Sequence, residues 1–324
     1  LAYPLTYVVV INWNGKETLR KCLTTFFSNT TSKEAKIILV DNGSTDGSIE
    51  MLQKDFPQIE VIKNQTNMGF SVANNQGIKI AITNGAKQVL LLNNDIEITD
   101  KHWLETLNMV LTSDDKIGVV GCKLLYADGR IQHAGGVIAL KGAYHRGERD
   151  LDRGQFDNVE SVDYVTGAVL LIKTKVIREI GFLDEGFSPI YCEDSDWCVR
   201  AKLQGYKVVY SPKPCLIHHC GVDTAKMGSK KAFFFRKSAI RFYLLNYQSI
   251  DILKRLLIYE VPALAACFVG RNPKGILPVK IRSDSSRRLE FFMRAWVPSI
   301  KDFRGILSRR KQRFMTGAKL RLSR

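Results

Sequence analysis

The 324-residue chain is short of several features that would place it in a large class. No apolar run is long enough to cross a bilayer. The longest, Leu256–Gly270, spans 15 residues and contains Glu260 and Pro262, whereas a spanning helix needs ~18 or more. Paired CxxC or CxxC…HxxxH spacing is missing, and the seven cysteines are odd in number and scattered. Neither a disulfide framework nor a structural zinc site is expected, and a reduced, cytoplasmic setting is. The first strand-like run is not followed by GxGxxG, so a dinucleotide-binding Rossmann site is not expected either. Leu1-Ala2-Tyr3-Pro4 has no basic region or cleavage pattern, so no signal peptide is predicted. Acid is scarce at one end. From Lys226 onward there are 24 Lys and Arg against 5 Asp and Glu, a balance of +19, while the first 225 residues balance at −3. What remains is ordinary globular usage, with 45% hydrophobic and 25% charged residues, ample for a packed core.

The first half alternates strand and helix signals. Thr6–Asn12, Lys36–Asp41 and Gln88–Asn93 are short apolar runs that suit strands buried on both faces, and Ile59–Lys63 and Ile117–Leu125 also read as strands. Between them, stripes such as Leu19, Cys22, Leu23 and Phe26, or Leu104, Leu107 and Leu111, have helical spacing. Strands separated by single helices imply βαβ units and a mostly parallel sheet. Further on, Gly142–Val159 reads as a loop, Ala168–Lys173 and Lys207–Ser211 as strands, and Asp194–Gln204 as a helix.

Polar residues gather at the strand ends: Asn12-Trp13-Asn14-Gly15, Asp41-Asn42-Gly43-Ser44 and Asn93-Asn94-Asp95, with Asn67-Met68-Gly69-Phe70 opening a helix. Each alone is an ordinary turn, but open parallel sheets bind ligands beyond the carboxyl ends of their strands. Asp95 places hard oxygen ligands there, which suit Mg²⁺ or Mn²⁺ carrying phosphates. Glu193, Asp194 and Asp196 crowd three carboxylates into four positions. They serve either a helix N-terminus or a general base. Cys215, His218, His219 and Cys220 raise zinc as an alternative to one imidazole completing a carboxylate-metal site.

Taken in order, Val8–Gly15, Val40–Ser48, Asn67–Gly77 and Leu91–Ile96 resemble the family 2 glycosyltransferases, in particular their rhamnosyltransferase-like branch. His133–Gly136, Thr166–Ala168, Gly181–Phe187, Glu193–Arg200 and His218 extend the likeness to about Asp223. The resemblance implies a GT-A fold, a nucleotide-sugar donor, a Mg²⁺ or Mn²⁺ ion and inversion at the anomeric carbon. It implies that Asp41 meets the base of the nucleotide, with Asn12 and Trp13 framing it and Asn67, Asn74 and Asn75 near the nucleotide. Asn93-Asn94-Asp95 takes the DxD position, with Asn93 in place of its first acid and Asp95 as the metal carboxylate. Asp194 takes the place of the base, Glu193 stands beside it, and His218 reaches the metal.

The expected organisation is a catalytic region over 1–225, its nucleotide-sugar half about 1–126 and its acceptor half about 127–225. A basic, mainly helical region over 226–324 follows. There Lys230–Tyr247 mixes cations with aromatics at helical spacing, and Phe233–Phe235 with Phe242-Tyr243 are available to insert at an anionic membrane surface; the alternative is a helix packed on the catalytic region with its Lys and Arg solvated. The expected activity is transfer of a sugar to a glycan or lipid-linked acceptor at the cytoplasmic face of the membrane. The alternatives are a catalytically weak GT-A binding module and a basic membrane or nucleic-acid adaptor. No nucleic-acid module motif is visible, so a nucleic-acid partner is not expected.

Overall fold

The computed structural model describes residues 3–31, 33, 35–219, 230–268, 285–315, 320 and 322. Cys220, Asp223 and Lys226 lie outside them. Strands β1 (Thr6–Asn12), β2 (Ala35–Asp41), β3 (Glu60–Lys63) and β4 (Gln88–Asn93) alternate with helices α1 (Lys16–Asn29), α2 (Ser48–Asp55) and α3 (Phe70–Thr83). Then come β5 (Ile96–Glu97), α4 (Trp103–Thr112), β6 (Ile117–Leu125), β7 (Ile131–His133), β8 (Gly136–Ala139), β9 (Gly142–His145), β10 (Glu160–Ser161) and β11 (Val169–Lys173). Helices α5 (Thr174–Ile180) and α6 (Glu193–Leu203) precede the long β12 (Lys207–His218).

The main sheet runs β10-β12-β6-β11-β4-β1-β2-β3, with β5 on β12 and β7 on β6. It is mostly parallel, as the alternation implies, but β11 is antiparallel to both of its neighbours. Successive residues of a strand point to opposite faces, and the core divides accordingly. Val8, Val10, Leu90 and Leu92 pack with α1 and α4 on one face, and Val9, Leu91 and Leu170 with α3 on the other. Two expected boundaries move. The predicted loop over Gly142–Val159 begins as strand β9, paired with β8. The strand predicted to stop at Ser211 continues through a register shift to His218.

The C-terminal helices are α7 (Lys230–Asn246), α8 (Ser249–Arg255), α9 (Val261–Phe268), α10 (Ser285–Lys301) and α11 (Phe303–Phe314), with a π-helical stretch Leu256–Glu260 joining α8 to α9. Ile240, Phe242, Tyr243, Leu245 and Tyr247 are buried in the same core as Val9 and Leu91. Phe242 and Tyr243 are therefore not free to insert into a membrane, whereas Phe235, earlier on α7, is exposed.

Candidate active site

Asn12 and Asp41 end adjacent parallel strands in register, and their side chains meet. Asn12 Nδ2 donates to Asp41 Oδ2 at 3.0 Å and to Ser44 Oγ at 3.1 Å. The Ser44 N–H donates to Asp41 Oδ1 at 2.8 Å, and Asn94 Nδ2 donates to Asn12 Oδ1 at 2.9 Å. The carboxyl ends of β1, β2 and β4 are thus tied by one buried polar network. Gly15 makes room for it: a Cβ there would fall 2.5 Å from Asn94 Nδ2. Trp13 is half-buried beside the network.

Three residues expected near the donor have side-chain amides that bond within the protein. Asn94 points back into the network and is buried, so its amide is engaged within the protein. Asn75 donates to the Leu183 carbonyl and to Glu185 Oε1, both at 3.0 Å, and accepts from the Leu183 N–H at 3.0 Å. It clamps α3 to the Gly181–Phe187 loop. Asn74 is buried too, donating to the Phe70 carbonyl of its own helix. Asn67 is exposed and accepts from the Gly69 N–H at 2.8 Å, shaping the turn before α3.

The short strand β5 pairs antiparallel with the end of β12, setting His218 opposite Ile96 and beside Asp95. Asp95 Oδ1 lies 3.0 Å from His218 Nε2, and His218 Nδ1 lies 3.1 Å from Gln132 Oε1. The Gln132 oxygen only accepts, so Nδ1 carries a proton, and Nε2 is the nitrogen turned toward Asp95. In the neutral ring Nε2 offers a lone pair, and a lone pair beside a carboxylate suits a positive charge between or beside them. Asp95 Oδ1 is also buried with no hydrogen-bond donor among the described residues. An imidazole nitrogen and a carboxylate at one sheet edge therefore fit a Mg²⁺ or Mn²⁺ ion that draws its other ligands from water and phosphate. Among the described residues no group of three His, Cys, Asp or Glu is placed to enclose an ion, zinc included. Asn93 Nδ2 stands 3.5 Å from His218 Nε2. His219, next along the strand, turns away to Glu97 Oε2 at 2.7 Å and Lys21 Nζ at 3.3 Å.

Helix α6 starts after Tyr191 and Cys192, both left-handed at φ 85° and 69°, a costly conformation for side chains other than glycine. The turn leaves Asp194 half-buried while Glu193 is buried. Asp194 Oδ2 accepts the Gly167 N–H at 2.8 Å, and Oδ1 accepts the Ser195 N–H at 2.6 Å. Burial, helped by the charge of Asp194, holds the Glu193 carboxyl well above the usual carboxylate range. Burial thus favours the protonated form of Glu193.

Several side chains at this site carried no assigned role in the sequence. Gln132 holds His218, as above. The next residue, His133, is buried with Nδ1 at 2.5 Å from His145 Nδ1. Burial, then His145, pushes the His133 pKa well below its ordinary value. The Thr166 N–H lies 3.4 Å from His133 Nε2, and the next N–H, of Gly167, holds Asp194. Strand β7 and the Thr166–Ala168 turn thus bridge from His218 to Asp194. His133 stood in a recognisable motif, but Gln132 and His145 had no spacing signal.

Residues 7–164 match the family described as Glycosyl transferase family 2. The O-antigen biosynthesis protein RfbC of Myxococcus xanthus is 28% identical over 225 residues, covering 67% of this chain and 17% of that protein. The chain therefore spans only about a sixth of that relative's length. The N-acetylglucosaminyl-diphospho-decaprenol L-rhamnosyltransferase of Mycobacterium tuberculosis is 23% identical over 249 residues, or 68% of this chain and 77% of that enzyme. Among solved structures, the mannosyltransferase PcManGT of Pyrobaculum calidifontis, in complex with GDP-Man and Mn²⁺, superposes with a TM-score of 0.55. It is 15% identical, covering 97% of this chain and 86% of that one; the likeness concerns the fold.

Proposed function

Because the chain carries a glycosyltransferase family 2 domain on a GT-A fold, we propose that it is an inverting, divalent-metal-dependent glycosyltransferase. On this reading it moves a sugar from a nucleotide-sugar donor to a glycan or lipid-linked acceptor, in cell-surface polysaccharide or glycoconjugate assembly. The observation that carries it is the pairing of Asp95 with His218 at 3.0 Å, joined through β7 to the turn that holds Asp194.

Asp95 and His218 would hold Mg²⁺ or Mn²⁺ with the donor diphosphate. Bound there, the ion supplies positive charge against the charge that develops on the leaving diphosphate. Asp41, Asn12 and Trp13 frame the nucleotide base, and Asn67 and Asn93 edge the donor. An acceptor hydroxyl is a poor nucleophile at neutral pH, so Asp194 takes its proton during attack. The Gly167 N–H fixes the orientation of that carboxylate. Glu193 stands beside it, with burial favouring its uncharged form. Attack opposite the departing diphosphate inverts configuration. The chain works peripherally at the cytoplasmic face of the membrane, where lipid-linked acceptors are displayed. Nucleic acid has no part in this reading.

The test is a panel of nucleotide sugars, dTDP-rhamnose and GDP-mannose among them, scored for thermal shift and donor hydrolysis with and without Mn²⁺. A metal-dependent shift with turnover is the expected result. No shift with any donor would sink the reading. The second reading is a GT-A module that binds without turnover, favoured by the neutral Asn93 in the DxD position; a shift without hydrolysis would establish it.

A further inference from the structure

The described C-terminal helices expose far more large apolar surface than the catalytic part. From Tyr3 to His219 the exposed large hydrophobics number seven and are scattered, whereas from Lys230 onward there are twelve. They are also ordered. Ile250, Leu253, Leu257 and Val261 follow one another at helical spacing along α8 and α9, each at least 50% exposed. The opposite side of this helix is spent inside, through Arg255, Glu260, Ala263 and Cys267. On α10 and α11, Val297, Ile300, Phe303 and Leu307 are exposed in the same way. Contiguous exposed apolar stripes mark an interaction surface.

The charges around these stripes point to one partner. Glu260 is taken up by Arg236, Glu290 by Arg294, and Asp302 by Arg241 and Arg309. The one other acid among the described residues there, Asp251, is half-buried. By contrast Lys254, Lys301, Arg304 and Lys311 are exposed and have no ion pair among the described residues. An apolar stripe flanked by unpaired cations is the pattern of a helix lying in the headgroup region of an anionic bilayer. No helix among the described residues is long and apolar enough to cross one.

We infer that the outer faces of α8–α9 and α10–α11 dock peripherally on an anionic lipid bilayer. This deepens the proposed function, on which it rests for the lipid-linked acceptor, and it moves the contact from the buried Phe242 and Tyr243 to a different surface. The test is co-sedimentation of the full chain with vesicles of phosphatidylcholine alone and of phosphatidylcholine mixed with phosphatidylglycerol, with no sugar nucleotide present. Wild type should prefer the mixed vesicles. Leu253→Gln with Leu257→Gln should lose roughly tenfold or more in partitioning at low and high salt. Lys301→Gln with Lys311→Gln should lose roughly fivefold per cation at low salt only. All four side chains are exposed, so unchanged unfolding midpoints are expected and exclude misfolding as the cause. Failure of wild type to bind either vesicle, or leucine variants that bind like wild type, would overturn the inference. A dimer in sedimentation velocity that Leu257→Gln splits would overturn it in favour of a second copy. Docking without donor turnover would leave the inference standing while the proposed function fell, so the two fail separately.

Discussion

Asp95 Oδ1 and His218 Nε2 face each other at 3.0 Å, and the second nitrogen of the same ring is already committed to Gln132. With the ring neutral these are two acceptors held close across buried space, an arrangement a positive charge relieves, and they share a sheet edge with the carboxyl ends of β1, β2 and β4.

We predict that Asp95→Ala abolishes the Mn²⁺ dependence of nucleoside diphosphate binding. His218→Ala should have a smaller effect, because a neutral imidazole compensates less charge than a carboxylate. Gln132→Leu frees the His218 ring and should weaken Mn²⁺-linked affinity by roughly 10–100-fold, as loss of a partner behind a metal ligand does. Calorimetry of UDP, GDP and dTDP with and without Mn²⁺ measures all three. Unchanged metal-linked affinity in Asp95→Ala would place the ion elsewhere.

A second prediction concerns the proposed base. Asp194→Asn keeps the size of the side chain and one of the two oxygens that accept from the Gly167 and Ser195 N–H groups, but it cannot take a proton. Transfer should fall by roughly 10²-fold or more with donor affinity unchanged. Near-normal turnover would remove Asp194 from the role.

Much of this was legible in the sequence where it depended on local pattern. The runs forming β1, β2 and β4 were apolar because both of their faces are covered. The antiparallel insertion of β11 was not legible, since nothing within Val169–Lys173 encodes the direction of its neighbours. The choice between the two adjacent histidines was open for a similar reason. Which of them lies beside Asp95 depends on alternation on β12 and on pairing with β5, a contact 122 residues away in sequence. Gln132 and His218 are 86 residues apart, so their contact leaves no spacing signal. The basic tail misled in another way. Its composition suggested solvated cations, but Arg236, Arg241, Arg255 and Arg313 are buried and paired or capping carbonyls. A charge count does not reveal which charges fold inward.

The raised pKa of Glu193 predicts a pH effect of definite sign. Burial raises it above the unfolded value of about 4.5, so the folded state holds a proton that the unfolded chain releases. Glu193 therefore contributes stability below about 4.5 that is lost as pH rises toward its folded pKa. Glu193→Gln replaces the neutral acid with a neutral amide and should flatten that slope, raising the unfolding midpoint at pH 7–8 relative to wild type. Thermal melts of both proteins across the pH range measure it. Identical pH slopes would mean that Glu193 is ionised in the folded protein.

The last prediction tests how far the C-terminal helices support α6. Asp196, fully buried, accepts from Arg313 Nη1 at 2.5 Å, Arg200 Nε at 2.9 Å and Asn246 Nδ2 at 2.9 Å. Burial alone would raise its pKa, but the guanidinium groups of Arg313 and Arg200 override that and bring it down to about 2. A depressed carboxylate contributes stability that is present above its unfolded value and lost as pH falls through its folded one. Here the window runs from about pH 4 down to about 2, and the contribution is on the order of 2 kcal/mol. Removing one partner of a buried pair leaves a charge uncompensated, which typically costs about 3–5 kcal/mol. Arg200 remains in place, so Arg313→Met should fall near the low end. The double variant Arg313→Met with Asp196→Asn removes the stranded charge and should recover part of the loss. Asp196 is two residues from Asp194, so Arg313→Met should also lower transfer more than it lowers donor binding. Denaturant melts of the two single variants and the double one give the coupling. Additive losses, with no recovery in the double variant, would show that the Arg313–Asp196 pair does not tie α11 to the start of α6 energetically.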